Sequence, residues 1–384
     1  MFAVLTLLLV VVTHVYLYRR AVHDVFDGRR ARRIGATVIV LLGLAVAAAF
    51  TTQRALDPGA ARPLHTAGYL WLAVVLYATC VLVVGELVRL GLRAAGRAPD
   101  PERRRFLSRV LAGTAAVVAL GTVTYGAVAA RRVRTERREL LLDRLDPAFD
   151  GFTIAAISDV HLGPLVGRAD LAGFVATINA AAPDAVAIVG DLVDGDVATL
   201  GPYAEPLRDL QAPAYFVTGN HEYYSGAAQW VEHLPTLGVR VLRNERVTVR
   251  RGGAVLHIAG CDDRTAARSD VPGHGFDLDA ALAGRGPDEP VVLLTHQPVM
   301  VDQAARADVD LQVSGHTHGG QLWPLTTVAL IDQPVLAGLT RVGRTWLYVT
   351  RGVGFWGPPV RVGSPPEITV LTLRARGGGT VGPG

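Results

Sequence analysis

Four long apolar runs in the first third of the chain restrict its fold more than any other feature. They cover residues 2–18, 34–52, 67–88 and 110–130. Each approaches the ~20 residues that carry an α-helix across a bilayer. They are apolar on every face and lack the amphipathic period of a helix packed on a soluble core. The first is the shortest and the weakest of the four. Half of the 384 residues are hydrophobic and the mean hydropathy is +0.31, values that suit a chain partly in lipid. A single core stops growing at about 250–300 residues, so a second body is expected. We expect a transmembrane region of about four helices over 1–132, a linker over 133–150, a folded domain over 151–376, and a disordered Gly-rich tail over 377–384.

The chain has no lysine, and its net charge is +4. Much of the arginine lies beside the apolar runs. The basic balance therefore speaks of a membrane rather than of nucleic acid. Arg19, Arg20, Arg29, Arg30, Arg32 and Arg33 follow the first run. Arg93, Arg97, Arg103, Arg104 and Arg105 follow the third, whereas only Arg54 and Arg62 follow the second. Positively charged links stay in the cytoplasm, so the fourth run crosses outward and leaves the C-terminal domain outside. Arg103-Arg104-Arg105-Phe106-Leu107 before that run resembles a twin-arginine export signal, with Ala127-Val128-Ala129 at its end. Arg131, Arg132, Arg134, Arg137 and Arg138 just after it argue the other way. The two cysteines, Cys80 and Cys261, exclude a disulfide framework and a Cys-rich zinc site.

Beyond residue 140 the chain reads as α/β. Short β-rich runs recur at 152–158, 185–189, 214–218, 254–259, 291–295, 311–314, 346–350 and 368–373, with helical stretches at 169–180 and 227–237. Five of these runs end in His, Asp or Asn. The first leads to Asp159-Val160-His161, the second to Gly190-Asp191 and the third to Gly219-Asn220-His221-Glu222. The fifth leads to His296 and the sixth to Gly315-His316-Thr317-His318. Sites in open α/β sheets form outside the carboxyl ends of strands, so residues far apart in sequence can converge there. Asp, Asn and His supply oxygen and imidazole donors without thiolate, a set suited to Mn, Fe, Zn or Ni with open positions. A carboxylate can bridge two such ions, and two ions can clamp both oxygens of a phosphoryl displacement.

Asp-x-His, Gly-Asp, Gly-Asn-His-Glu, His and Gly-His-x-His, in that order, resemble the motifs of the calcineurin-like metallophosphoesterases. The likeness covers 152–373, and all five motifs are intact. Arg351-Gly352-Val353-Gly354, Pro358-Pro359-Val360-Arg361 and Pro365-Pro366-Glu367-Ile368 look like the bacterial membrane-associated subgroup of that family. The resemblance implies a sandwich of two mixed β-sheets flanked by helices, with two divalent metal ions at one edge. By the same resemblance Asp159, His161 and His318 would hold one ion, and Asn220, His296 and His316 the other. Asp191 would bridge them. His221 would bind no metal but protonate the leaving oxygen or stabilise the transferring phosphoryl group. Hydroxide, not a side chain, would attack phosphorus.

Other polar residues carry blander readings. Asp194 caps or orients, Glu222 makes supporting contacts, and Asp262 with Asp263 forms a turn. Tyr223 and Tyr224 face substrate or pack. Arg351 and Arg361 hold phosphate or form structural ion pairs. His14, His23, His65, His233, His257 and His274 lie outside the motifs. The reading is a membrane-tethered phosphoester hydrolase, its substrate a phosphomonoester or phosphodiester on a lipid-linked or envelope phosphate. The alternative from another class is a non-catalytic sensory membrane protein that binds metal or phosphate. A nuclease fits poorly, because no basic tract accompanies the motifs and no nucleic-acid partner is expected.

Overall fold

The computed structural model describes residues 2–54, 56–96 and 100–376. The chain forms two compact units, Met1–Val128 with Gly357–Val360, and Ala129–Trp356 with Arg361–Gly384. The expected tail at 377–384 lies outside the described residues.

The first unit contains helices α1 (Phe2–Leu17), α2 (Arg29–Thr52), α3 (Pro58–Ala94) and α4 (Pro101–Ala129). Among the described residues, three segments are long and apolar enough to cross a membrane: Arg29–Thr52, Pro58–Ala94 and Glu102–Ala129. The 16 residues of α1 fall short of that length, since they rise about 24 Å against a hydrocarbon core of ~30 Å. Asp57 starts α3 by accepting the Ala60 N–H at 3.0 Å, with Pro58 at the first helical position. A Cβ on Gly68 of α3 would lie 2.7 Å from the Ala45 carbonyl oxygen of α2. These two helices approach as closely as small residues permit.

The second unit is the expected sandwich. Its strands are β1 (Arg134–Leu142), β2 (Thr153–Ile157), β3 (Ala185–Val189), β4 (Ala214–Val217), β5 (Val239–Val241), β6 (Glu245–Arg251), β7 (Ala254–Gly260), β8 (Val291–Leu294), β9 (Leu311–Ser314), β10 (Gly338–Val342), β11 (Thr345–Val349) and β12 (Glu367–Ala375). The helices are α5 (Arg168–Ala180), α6 (Val197–Ala204), α7 (Asn220–Tyr224), α8 (Ala227–His233), α9 (Leu278–Leu282), α10 (Val301–Arg306) and α11 (Thr326–Ala329). One sheet runs β1-β12-β2-β3-β4-β5, the other β10-β11-β9-β8-β7-β6. Both are mixed: β2, β3 and β4 pair in parallel, as do β7, β8 and β9, while β12 is antiparallel to β2 and β6 to β7.

Every residue of β3 is buried, because both of its faces are covered. Val186 and Ile188 join Leu171, Val175 and Ile178 of α5 in one core. Ala185, Ala187 and Val189 face the other way, into a core shared with Leu256, Ile258, Val292, Leu294 and Val313 of the second sheet. A third core sets Leu278 and Ala281 of α9 and Ala304 of α10 against Val291 and Leu293. Period-two alternation in each central strand thus feeds two apolar layers at once.

Residues 133–150 are not a linker. Within them β1 pairs in parallel with β12 along its whole length, from Arg134 opposite Glu367 to Leu142 opposite Ala375. The charged RTERRE stretch hid this strand; its inward-facing Leu140 and Leu142 are each 1% exposed.

Candidate metal centre

Five strands deliver their polar residues to one place because they are parallel within their sheets. The ends of β2, β3 and β4 lie side by side in the first sheet, and those of β8 and β9 in the second. Two separate groups of ligand atoms result: Asp159, His161 and His318 form one, and Asp191, His296 and His316 the other. A third, His161, Asp194 and His221, shares His161 with the first. Within each group the candidate donor atoms lie within 4.8 Å of one another. His161 Nε2 is 3.1 Å from His318 Nε2, and His316 Nδ1 is 3.3 Å from His296 Nε2.

One oxygen faces both groups. Asp191 Oδ2 lies 3.1 Å from His296 Nε2 and 3.9 Å from His161 Nε2, while Oδ1 accepts the His221 N–H at 2.8 Å. Asn220 begins α7, directly before His221 in the chain, and its buried Oδ1 has no hydrogen-bond partner. The sequence-predicted residues therefore come together.

The backbone bends sharply to present these side chains. Asp159, His161, Asp191, His316 and His318 all have φ between 50° and 71°, the left-handed region. Each such residue costs about 1–2 kcal/mol, and such strain concentrates at functional sites. Gly190, at φ 77°, allows a close approach: a Cβ there would lie 2.7 Å from both Gly219 Cα and His296 Nδ1.

Hydrogen bonds fix how the rings are turned. His161 Nδ1 donates to Asp194 Oδ1 at 3.0 Å, and His296 Nδ1 donates to the Val189 carbonyl at 2.8 Å. Nε2 of both rings is left facing into the cluster, the arrangement of a ligating imidazole steadied from behind. Asp159 accepts the His316 N–H at 3.0 Å. Asp194 Oδ1 also accepts from His221 Nδ1 at 2.6 Å, so this carboxylate orients two imidazoles.

Charge states follow from burial and neighbours. Burial disfavours charge on His221, but Asp191 and Asp194 outweigh it and raise its pKa to about 9. Burial lowers His316 to about 3, aided by His296, and lowers His318 well below the ordinary value, aided by Arg361. Both rings are thereby neutral, the state in which imidazole ligates. Burial raises Asp159, whereas His296 and His221 overcome burial to hold Asp191 well below the carboxylate range. Imidazole donors, two carboxylates and an orphaned amide oxygen, most of them buried, are groups that divalent cations would satisfy.

Glu222 is a structural staple. Fully buried, it accepts the N–H groups of Gly219 at 2.6 Å, Asp191 at 3.0 Å and Leu192 at 2.8 Å. Burial and the Asp191 charge raise its pKa to about 7. Glu222→Ala would orphan these donors, a loss of roughly 3 kcal/mol or more. We expect the melting temperature of the full chain in detergent to fall by roughly 6–12 °C. A shift within 1–2 °C, or ~0.5 kcal/mol, would remove the staple role.

Arg351 pairs with Glu367, and Arg361, 1% exposed, gives its guanidinium to the carbonyls of His318, Arg351 and Gly354. Both arginines are structural. Asp262 and Asp263 do more than turn the chain: Asp262 pairs with Arg243 at 2.8 Å, and Asp263 receives Gln297 Nε2 at 3.0 Å. Sequence reasoning missed Trp356, whose ring centroid is 6.1 Å from that of His221, opposite no motif that could flag it. Tyr224 lies 5.4 Å from the same ring.

Residues 152–320 match the family model for calcineurin-like phosphoesterases. The chain is 43% identical over 249 residues to a bovine transmembrane protein with metallophosphoesterase domain, covering 62% of this chain and 56% of that one. A protein of the same description from Danio rerio is 38% identical over 77% of this chain and 70% of its own length. An uncharacterised metallophosphoesterase of Bacillus subtilis is 31% identical over 71% of this chain and 98% of its own. The match spans little more than half of the bovine protein's length. The narrower likeness to a bacterial subgroup is not borne out, since vertebrate proteins stand among these relatives.

Proposed function

Because the chain belongs to the calcineurin-like phosphoesterase family, we propose that it is a membrane-tethered hydrolase of phosphate monoesters or diesters that works with two divalent cations. The reading is carried by Asp191 Oδ2, one carboxylate oxygen set between two groups of imidazole and carboxylate donors. Asp159, His161 and His318 would hold one cation; Asn220, His296 and His316 the other; Asp191 both. Mn, Fe, Zn or Ni suits this donor set. When bound, such a pair supplies Lewis acidity toward phosphoryl oxygens and lowers the pKa of water.

The chain's own residues manage the rest of the reaction. Asp194 holds the His221 ring by Nδ1. That leaves His221 Nε2 to give its proton to the departing ester oxygen. Tyr224 and Trp356 stack edgewise on His221 and limit its rotation. Glu222 fixes the loops that carry Asp191 and Asn220.

Hydrolysis of a chromogenic phosphodiester and its monoester by the full chain in detergent tests this reading. Turnover should vanish with a chelator and return with Mn. The ratio of the two rates assigns the ester class. Folded protein that binds two metal ions yet hydrolyses neither ester would sink the general hydrolase reading.

We further place the catalytic unit on the extracytoplasmic side, with a substrate on a lipid-linked or envelope phosphate. The arginine-rich links before α2 and α4 support that orientation. Reporters fused after Arg376 should give an active phosphatase and a dark fluorescent protein. The reverse pattern would turn the topology over.

A further inference from the structure

The loop that follows the His316 and His318 motif is built to be apolar and exposed. Ile331 is 86% exposed, Trp323 61%, Val328 57%, Leu330 48% and Leu325 44%. Residues 322–331 contain no charged side chain. Soluble surfaces rarely gather large hydrophobics this densely without a partner.

Both ends of the loop are clamped at the candidate metal centre. Gln321, three residues past His318, donates Nε2 to the Trp356 carbonyl at 3.0 Å and accepts the Trp356 N–H at 3.1 Å. At the far end Gln333 is 2% exposed. It accepts the Val299 N–H at 3.0 Å and donates to Gln297 Oε1 at 3.2 Å, beside His296. The Trp323 N–H also donates to the Val362 carbonyl at 3.0 Å. An anchored frame thus holds the apolar side chains outward.

A lipid surface suits this loop. Chain leaving α4 at Ala129 enters β1 at Arg134, and five residues reach at most about 17 Å. The start of β1 therefore stays within that reach of the end of α4, so a bilayer that α4 would cross meets this unit with little concentration penalty. Trp323 offers the amphipathic ring that favours the headgroup level. The one acidic residue beside the segment, Asp332, is paired with Arg264, so anionic headgroups meet no bare carboxylate.

We infer that residues 323–331 insert into the surface of a phospholipid bilayer and form a lipid-seated rim beside the metal centre. The loop would bring the site to phosphoesters lying at headgroup level, and this delivery role rests on the hydrolase reading above. Insertion itself does not rest on it.

The full chain, with Cys80→Ala and Cys261→Ala, would be spin-labelled at Ile331→Cys or, as an exposed control, at Arg208→Cys. It would be reconstituted in phosphatidylcholine–phosphatidylglycerol vesicles. The label at 331 should collide several-fold more with oxygen, relative to a water-soluble nickel chelate, than the label at 208. An equal ratio, or shielding from both reagents as between two protein copies, would overturn insertion. In a second arm, Leu330→Asp with Ile331→Asp should lower the ratio of vesicle-borne to soluble phosphoester turnover about ten-fold. An unchanged ratio would overturn the delivery role. Wild-type chain that hydrolyses neither ester would remove the hydrolase reading, and the spin labels alone would then decide insertion.

Discussion

Asp191→Asn should reduce metal-dependent hydrolysis by at least about 10³-fold and lower the bound metal from two ions toward one or none. The substitution keeps size and shape but removes the negative charge that faces both donor groups. Asp191 Oδ2 lies 3.1 Å from His296 Nε2 and 3.9 Å from His161 Nε2, so one oxygen is within reach of both sides. An amide nitrogen turned inward would set N–H bonds against two imidazole lone pairs. With the amide oxygen inward instead, only a weak neutral donor remains for two cations. The backbone should tolerate the change, because its N–H still reaches Glu222 and the side chain can still accept the His221 N–H. Metal content by elemental analysis, read beside kcat at saturating Mn, separates this effect from unfolding. Two tightly bound ions with normal turnover would show that Asp191 does not bridge.

His221→Ala should leave two ions bound while kcat falls by about 10²–10⁴. The ring sits beside the metal-ligand candidates, grouped with His161 and Asp194, and Asp194 Oδ1 holds it at 2.6 Å. Its loss should depend on the leaving group. An alkyl alkoxide needs a proton to depart, whereas nitrophenolate leaves readily without one. The alkyl ester should therefore suffer more than the nitrophenyl ester. Equal losses on both would assign His221 to charge stabilisation or substrate binding instead. Asp194→Asn should produce a milder version of the same pattern, as His221 and His161 both lose their anionic partner.

The sequence displayed the middle of the fold and concealed its rims. β3 and β9 coincide with their apolar runs, and β2, β4, β7, β8, β11 and β12 fall within a residue or two of theirs. The four unread strands, β1, β5, β6 and β10, are the edges of the two sheets. A central strand covered on both faces must be apolar throughout, so it stands out. An edge strand tolerates charge and is often charged, which blocks unwanted pairing. Arg134–Leu142 and Glu245–Arg251 consequently read as polar connections. Their identity as strands resides in the partners β12 and β7, far from them in sequence.

The candidate site divides along the same line. Residue type and strand-end position alone marked Asp159, His161, Asp191, Asn220, His221, His296, His316 and His318, because metal-type donors are costly beside apolar strands unless used. Periodicity and length likewise marked the helices fit for a membrane. Tertiary structure decided what no local pattern encodes: which donors share a group, that one oxygen of Asp191 faces both, and that Asp194 steadies two rings. It also decided that Glu222 closes three or more backbone donors, that Arg361 is locked among carbonyls, and that Trp356 stands against His221. These are relations between segments tens to hundreds of residues apart. They arise only when parallel strands from two sheets bring their ends into register, because hydrogen bonds and Coulomb forces act over a few ångströms of space, whatever the separation along the chain.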